Sequence, residues 1–259
     1  MRDPDREAVQ ARLEALGFTV DVISEEDDAN RPDLVAIKEG VRMFVEVKAR
    51  VEDSALRANM ESVRAGSTEI VLNSLDKRNS LSSRIKQACR QLTAVAGPDD
   101  FRLLWFRAED GPFVHGTRDQ IGATLLGIRM VLVESAGRKR ERACVYAGHA
   151  DFHRFRDIDG TMIEVGEPII LILNQFSPRA PAFAASPICK IVGSAVFDVT
   201  KAPQNDPFYV VDGEVDRKSD DALLRLLRDK YPEDSFISFL EHHAGTVITT
   251  IDARSSGGV

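Results

Sequence analysis

The chain has 259 residues, 43% hydrophobic and 29% charged, with 34 Lys/Arg against 41 Asp/Glu for a formal charge of −7. That length suits one large domain or two small ones and buries a core without covalent staples, while no apolar run approaches the roughly 18 residues of a membrane span. Three scattered cysteines, Cys89, Cys144 and Cys189, form neither a CxxC pair nor an even set, which excludes a disulfide framework or a zinc knuckle. The first residues, Met1-Arg2-Asp3-Pro4-Asp5, are too charged for a secretory leader, so a cytoplasmic protein is expected. Charge is uneven: −5 over residues 1–83, +4 over 84–142 and −6 over 143–259. An acidic chain with one basic section can still present a local anion-binding face.

Asp3 and Pro4 suit the N-cap and first turn of a helix, and Val9, Leu13 and Leu16 recur at helical spacing until Gly17. Residues 18–23 read as a strand, followed by an acidic loop. Two strands over 34–38 and 42–49 flank a turn at Glu39-Gly40, and their apolar residues on both faces predict a mid-sheet position. A helix over 54–63 and a short strand over 69–72 follow. A second amphipathic helix is predicted over 82–96, with Ile85, Cys89, Leu92 and Ala96 on one stripe, then a strand over 101–107, a helix over 117–126 and a strand over 128–134.

Beyond this the pattern turns β-rich, with strands predicted over 161–165, 168–174 and 191–199 and a loop with three prolines over 177–187. His149, Asp151 and His153 fall in a stretch that reads as strand or loop. Ser219 caps a helix with Asp220 and Asp221 in its first turn and Arg228 and Lys230 in its last. A helix over 235–243, its C-terminal dipole met by His242 and His243, and a strand over 247–251 complete the expectations. They divide the chain into an α/β domain over 1–135 and an accessory recognition or dimerisation domain over 136–259.

One constellation carries chemistry. Pro32-Asp33 opens the second strand, and Glu46-Val47-Lys48 lies on the third, where alternation puts Glu46 and Lys48 on one face. A two-residue Glu39-Gly40 turn gives pairing partners that sum to 79 and sets Asp33 opposite Glu46; a three-residue turn shifts it by one position. Two apposed carboxylates repel unless one takes up a proton or both bind a cation. Oxygen ligands favour magnesium, with manganese as a substitute. Such an ion polarises a phosphoryl oxygen, and Lys48 can orient a water or offset developing charge. Phosphodiester hydrolysis fits. Glu7, on the first helix, is a further carboxylate within reach of this reading. The basic run Arg138, Lys139, Arg140 and Arg142 reads as a solvated hairpin tip or as a phosphate clamp.

Residues 4–107 resemble the PD-(D/E)xK nuclease superfamily, whose restriction-endonuclease-like fold has an αβββαβ core. The matching residues are Pro32-Asp33 and, twelve residues on, Glu46-Val47-Lys48; the helix-Gly-Phe entry with Glu7 resembles Holliday-junction resolvases. The resemblance implies a Mg²⁺-dependent nuclease acting on DNA, or on RNA, of the kind used in restriction, phage defence and repair. It implies Asp33, Glu46 and Val47 as metal ligands, Lys48 as the catalytic lysine and Glu7 as an accessory acid. Arg84, Gln87 and Gln91, on one stripe of the following helix, would support the site. The departure from the family is an insertion of about thirty residues between Lys48 and that helix. The competing reading is a non-catalytic nucleic-acid-binding or assembly subunit on the same fold. Two-site cleavage of a duplex would call for a homodimer or a partner subunit.

Overall fold

The computed structural model describes residues 3–23, 31–49, 69–74, 79–108, 114–135, 137–165, 168–201, 208–240 and 243–248. Helix α1 (Pro4–Ala15) starts where Asp3 Oδ1 accepts hydrogen bonds from the amides of Asp5 and Arg6. It ends at Gly17, whose φ of 81° only glycine adopts without strain. Strands β1 (Thr19–Val22), β2 (Leu34–Lys38) and β3 (Val41–Ala49) follow as an antiparallel meander. Glu39 and Gly40 have φ values of 53° and 76°, the pattern of a two-residue type I′ turn. It fixes the register Leu34↔Val45 through Lys38↔Val41, in which partners sum to 79.

Strand β4 (Glu69–Ser74) precedes helix α2 (Asn79–Val95) and strand β5 (Phe101–Ala108), which lies parallel to β3. The helix expected over 54–63 lies outside the described residues. Helix α3 (Val114–Leu126), strands β6 (Arg129–Ser135) and β7 (Arg138–Val145), the single turn α4 (Asp151–Arg154) and strands β8 (Gly160–Val165) and β9 (Ile170–Leu173) come next. Short helices α5 (Ala180–Ala184) and α6 (Pro187–Val192) lead to β10 (Val196–Phe197) and β11 (Tyr209–Val210). Helix α7 (Asp220–Lys230) and strands β12 (Ser235–Leu240) and β13 (His243–Ile248) end the described chain. Ser219 caps α7 by accepting from the Ala222 amide.

The result is mixed α/β. A seven-stranded sheet has the order β1-β2-β3-β5-β8-β9-β10, a four-stranded sheet the order β11-β7-β6-β12, and β4 pairs with β13. Strands from both sides of residue 135 enter the two larger sheets, and 135 itself falls between the paired neighbours β6 and β7. On one face of the larger sheet Met43, Val45, Val47, Leu103 and Trp105 pack with Val9 and Leu13 of α1 and with Phe183 and Ile188 of α5 and α6. On the other, Phe44, Leu104 and Phe106 belong to the core of α2, α3 and the four-stranded sheet. No helix among the described residues is long and apolar enough to cross a membrane.

Three expectations are corrected. The strand over 191–199 is instead α6, a 3-10 turn and two strand residues. Pro187 at the first helical position sets that helix going, and burial of Ile188 and Cys189 overrides the β preference of Ile191 and Val192. The proline-bearing loop over 177–187 correspondingly holds α5. The helix over 235–243 is strand β12, paired with β6. Phe236 and Phe239, three residues apart, suggest a helix. A bulge between Phe236 and Ser238 sets them opposite Val133 and Val131, so both face the core. The helix-dipole role of His243 falls with it, since His243 opens β13; His242 lies outside the described residues.

Candidate active site

The hairpin register carries over from Leu34↔Val45 to the residue just ahead of β2, which brings Asp33 to Glu46. Asp33 Oδ2 accepts a 2.7 Å hydrogen bond from the Val47 amide, and its own carbonyl accepts from the Ile23 amide. Both contacts fix the carboxylate where β2 begins. Because Val45 and Val47 face α1, Glu46 and Lys48 face α2. Lys48 Nζ donates to Glu46 Oε1 at 2.5 Å and to Gln91 Oε1 of α2 at 3.0 Å. Gln91 is buried and donates from Nε2 to the Arg31 carbonyl at 3.2 Å, which ties the helix to the segment that carries Asp33. Arg84, two turns earlier, donates to the Ala49 carbonyl at 2.8 Å.

Glu46 is 1% exposed, its Oε2 meets no N–H or hydroxyl donor, and its carboxyl is within hydrogen-bonding reach of that of Asp33. Burial, then the charge of Asp33, push its carboxyl up to about 8 against the pull of Lys48. Burial also raises Asp33, against the Val47 amide and the charges of Lys48 and Arg6. Neither carboxylate is at ease as an anion, and either a proton shared between them or a cation removes the conflict.

The donor set fits a hard divalent ion. Glu46 Oε2 is a buried oxygen with no N–H or hydroxyl donor, and Asp33 supplies a second carboxylate. A strand residue's N–H and C=O point to the same side, so the Val47 carbonyl faces the Asp33 edge as its amide does. Among the described residues, no group of three or more His, Cys, Asp and Glu converges. The protein's own ligands would therefore be two carboxylates and one carbonyl, with waters and substrate oxygens for the remainder.

The structure thus brings Asp33, Glu46, Val47, Lys48, Gln91 and Arg84 together. Gln87 is exposed, one turn along α2 from Gln91. Glu7 lies on an exposed flank of α1, and the α1 charge that acts on Asp33 is that of Arg6. Arg6 was not singled out from the sequence, though its phase was readable: positions 6, 9 and 13 share a helical face with the buried Val9 and Leu13, and position 7 does not. An ion pair between Asp5 and Arg107 of β5 holds this end of α1 against the sheet.

The basic run is a strand rather than a loop. After Gly137, with φ 73°, Arg138, Lys139, Arg140 and Arg142 all lie on β7, antiparallel to β6. The first three are exposed and Arg142 is half-buried. Lys139 stands opposite Glu134, and Glu141 is interleaved, so the strand carries acid as well as base. Comparison with protein-family models, curated proteins and solved structures finds no match to this chain.

Proposed function

We propose that the chain is a metal-dependent nuclease that hydrolyses phosphodiester bonds of DNA, built on a restriction-endonuclease-like core. The observation that carries this reading is the convergence of Asp33, Glu46 and Lys48 at one edge of β3, with a buried Glu46 oxygen that has no N–H or hydroxyl donor. The order α1-β1-β2-β3-β4-α2-β5, in which β1, β2, β3 and β5 are adjacent in the large sheet while β4 pairs with β13, supports it as well.

In this reading Asp33, Glu46 and the Val47 carbonyl hold Mg²⁺ or Mn²⁺. When bound, such an ion would supply Lewis-acid polarisation of the scissile phosphate and a more acidic water. Lys48 is positioned by two acceptors, Glu46 and Gln91, so its ammonium stays directed at the carboxylate edge where the phosphate must come. There it orients the attacking water and offsets charge that develops on the phosphate. Gln91 holds Lys48 and the Arg31 backbone in one arrangement. Arg6 adds a positive charge on the Asp33 side.

The test is incubation of the purified protein with supercoiled, linear, single-stranded and branched DNA and with RNA, in Mg²⁺, Mn²⁺ or chelator. Cleavage that needs the metal is expected for DNA. Cleavage of RNA alone reassigns the substrate. Binding without cleavage in either metal overturns the enzyme and leaves an assembly subunit.

A further inference from the structure

The helix that supplies Gln91 has a charge pattern of its own. Helix α2 contains Arg84, Lys86 and Arg90 and no Asp or Glu, in a chain whose formal charge is −7. Its apolar residues Ile85, Ala88, Cys89 and Leu92 are buried, while Ser80, Ser83, Lys86, Gln87 and Arg90 are exposed. Steps of about 100° per residue align Ser80, Arg84, Gln87 and Gln91 along the helix. One end of this line touches Lys48, and Arg84 meets the Ala49 carbonyl where the catalytic strand stops.

Ser82, buried and nearly opposite this line on the helix, meets α4 instead. Arg154 Nη1 lies 3.4 Å from Ser82 Oγ, 3.3 Å from Asp151 Oδ1 and 3.0 Å from His149 Nε2. Asp151 is fully buried beneath it and also accepts from Ser82 Oγ, whereas the Arg154 side chain is 40% exposed. This guanidinium already has an acid partner and reaches α2 away from its polar face, so it is no part of that surface. From Ser80 to Gln91 the helix rises about 17 Å, the axial length of about five nucleotides of one strand.

We propose that the exposed face of α2 is the track on which a nucleic-acid backbone runs into the Asp33, Glu46 and Lys48 site. Hydroxyl, amide and cationic groups with no interleaved acid suit phosphates and carry no base-reading pattern, so recognition along it is independent of sequence. β7, by contrast, sets Glu141 among its basic residues and Glu134 across from Lys139. The track rests on the nuclease reading, and it fails separately from it.

The test uses Lys86→Gln with Arg90→Gln, two exposed residues outside the catalytic site, in the full chain. Anisotropy of a fluorescein-labelled random duplex is measured across a salt series with Ca²⁺ in place of Mg²⁺. The slope of log affinity against log salt should become shallower by about 1.8, or about 0.9 for each lost contact, with kcat at saturating duplex unchanged. Thermal unfolding is recorded to show that the variant is folded. Identical slopes in folded wild type and variant overturn the track and leave the nuclease reading intact. A wild type that binds neither duplex nor single strand overturns both.

Discussion

Lys48 Nζ stands 2.5 Å from Glu46 Oε1, while Oε2 of the same carboxylate is buried with no N–H or hydroxyl donor. One oxygen of Glu46 is thus committed to the lysine, and the other is left for a proton shared with Asp33 or, in its place, a cation. The contact follows from the strand: residues two apart share a face, which sets Lys48 beside Glu46.

Metal-free stability should fall as pH rises. The folded state holds Glu46 protonated up to about pH 8, whereas the unfolded chain releases that proton near 4.3. Between those values the native state binds more protons, so stability drops by about 1.4 kcal/mol per pH unit and levels off above the folded value. The raised carboxyl of Asp33 acts in the same direction. Denaturant titrations in chelator should show Glu46→Gln to be more stable than wild type at pH 8, with the gap closing toward pH 5. A gap that is constant across that range contradicts the assignment.

Manganese binding should require Asp33. With two carboxylates and one carbonyl from the protein, the affinity is expected to be weak. Calorimetry with Mn²⁺ should lose its heat in Asp33→Asn, and an unchanged isotherm removes Asp33 from the ligand set.

Gln91 should act through Lys48. Replacing it by Ala frees the ammonium from one of its two acceptors and leaves the Arg31 carbonyl without its donor. Loss of a supporting hydrogen bond of this kind costs about 10- to 100-fold in activity. The loss should fall on kcat, with KM little changed and the pH profile displaced. A KM effect alone would make Gln91 a substrate contact instead.

Much of the site was legible because its geometry is local. Strand alternation, one tight turn and one helical stripe suffice to bring Asp33, Glu46, Lys48 and Gln91 together. What escaped depends on contacts distant in sequence. Arg6 is the exception, since its place on the helical face of Val9 and Leu13 was readable and its charge, not that of Glu7, acts on Asp33. The bulge in β12 exists only because β6 lies beside it, and without that partner the phenylalanine spacing reads as helical. β8 continues the large sheet by pairing with β5 across more than fifty residues, a join that no local pattern announces.

The basic residues of β7 should contribute less than their number suggests. Arg138, Lys139, Arg140 and Arg142 replaced together by Gln should flatten the salt dependence of duplex binding by at most about 0.9 per lost contact. The loss should be equal for specific and random duplexes. An unchanged slope makes this strand a solvated surface. A base-specific loss would instead mean that it reads sequence.

The most direct measurement is plasmid cleavage in Mg²⁺ by the wild type beside Lys48→Ala and Glu46→Ala, each shown to be folded by its circular dichroism spectrum. The wild type should nick or linearise the plasmid and stop on addition of chelator, and both variants should be inactive. Cleavage by either folded variant at near the wild-type rate would place the chemistry elsewhere in the molecule.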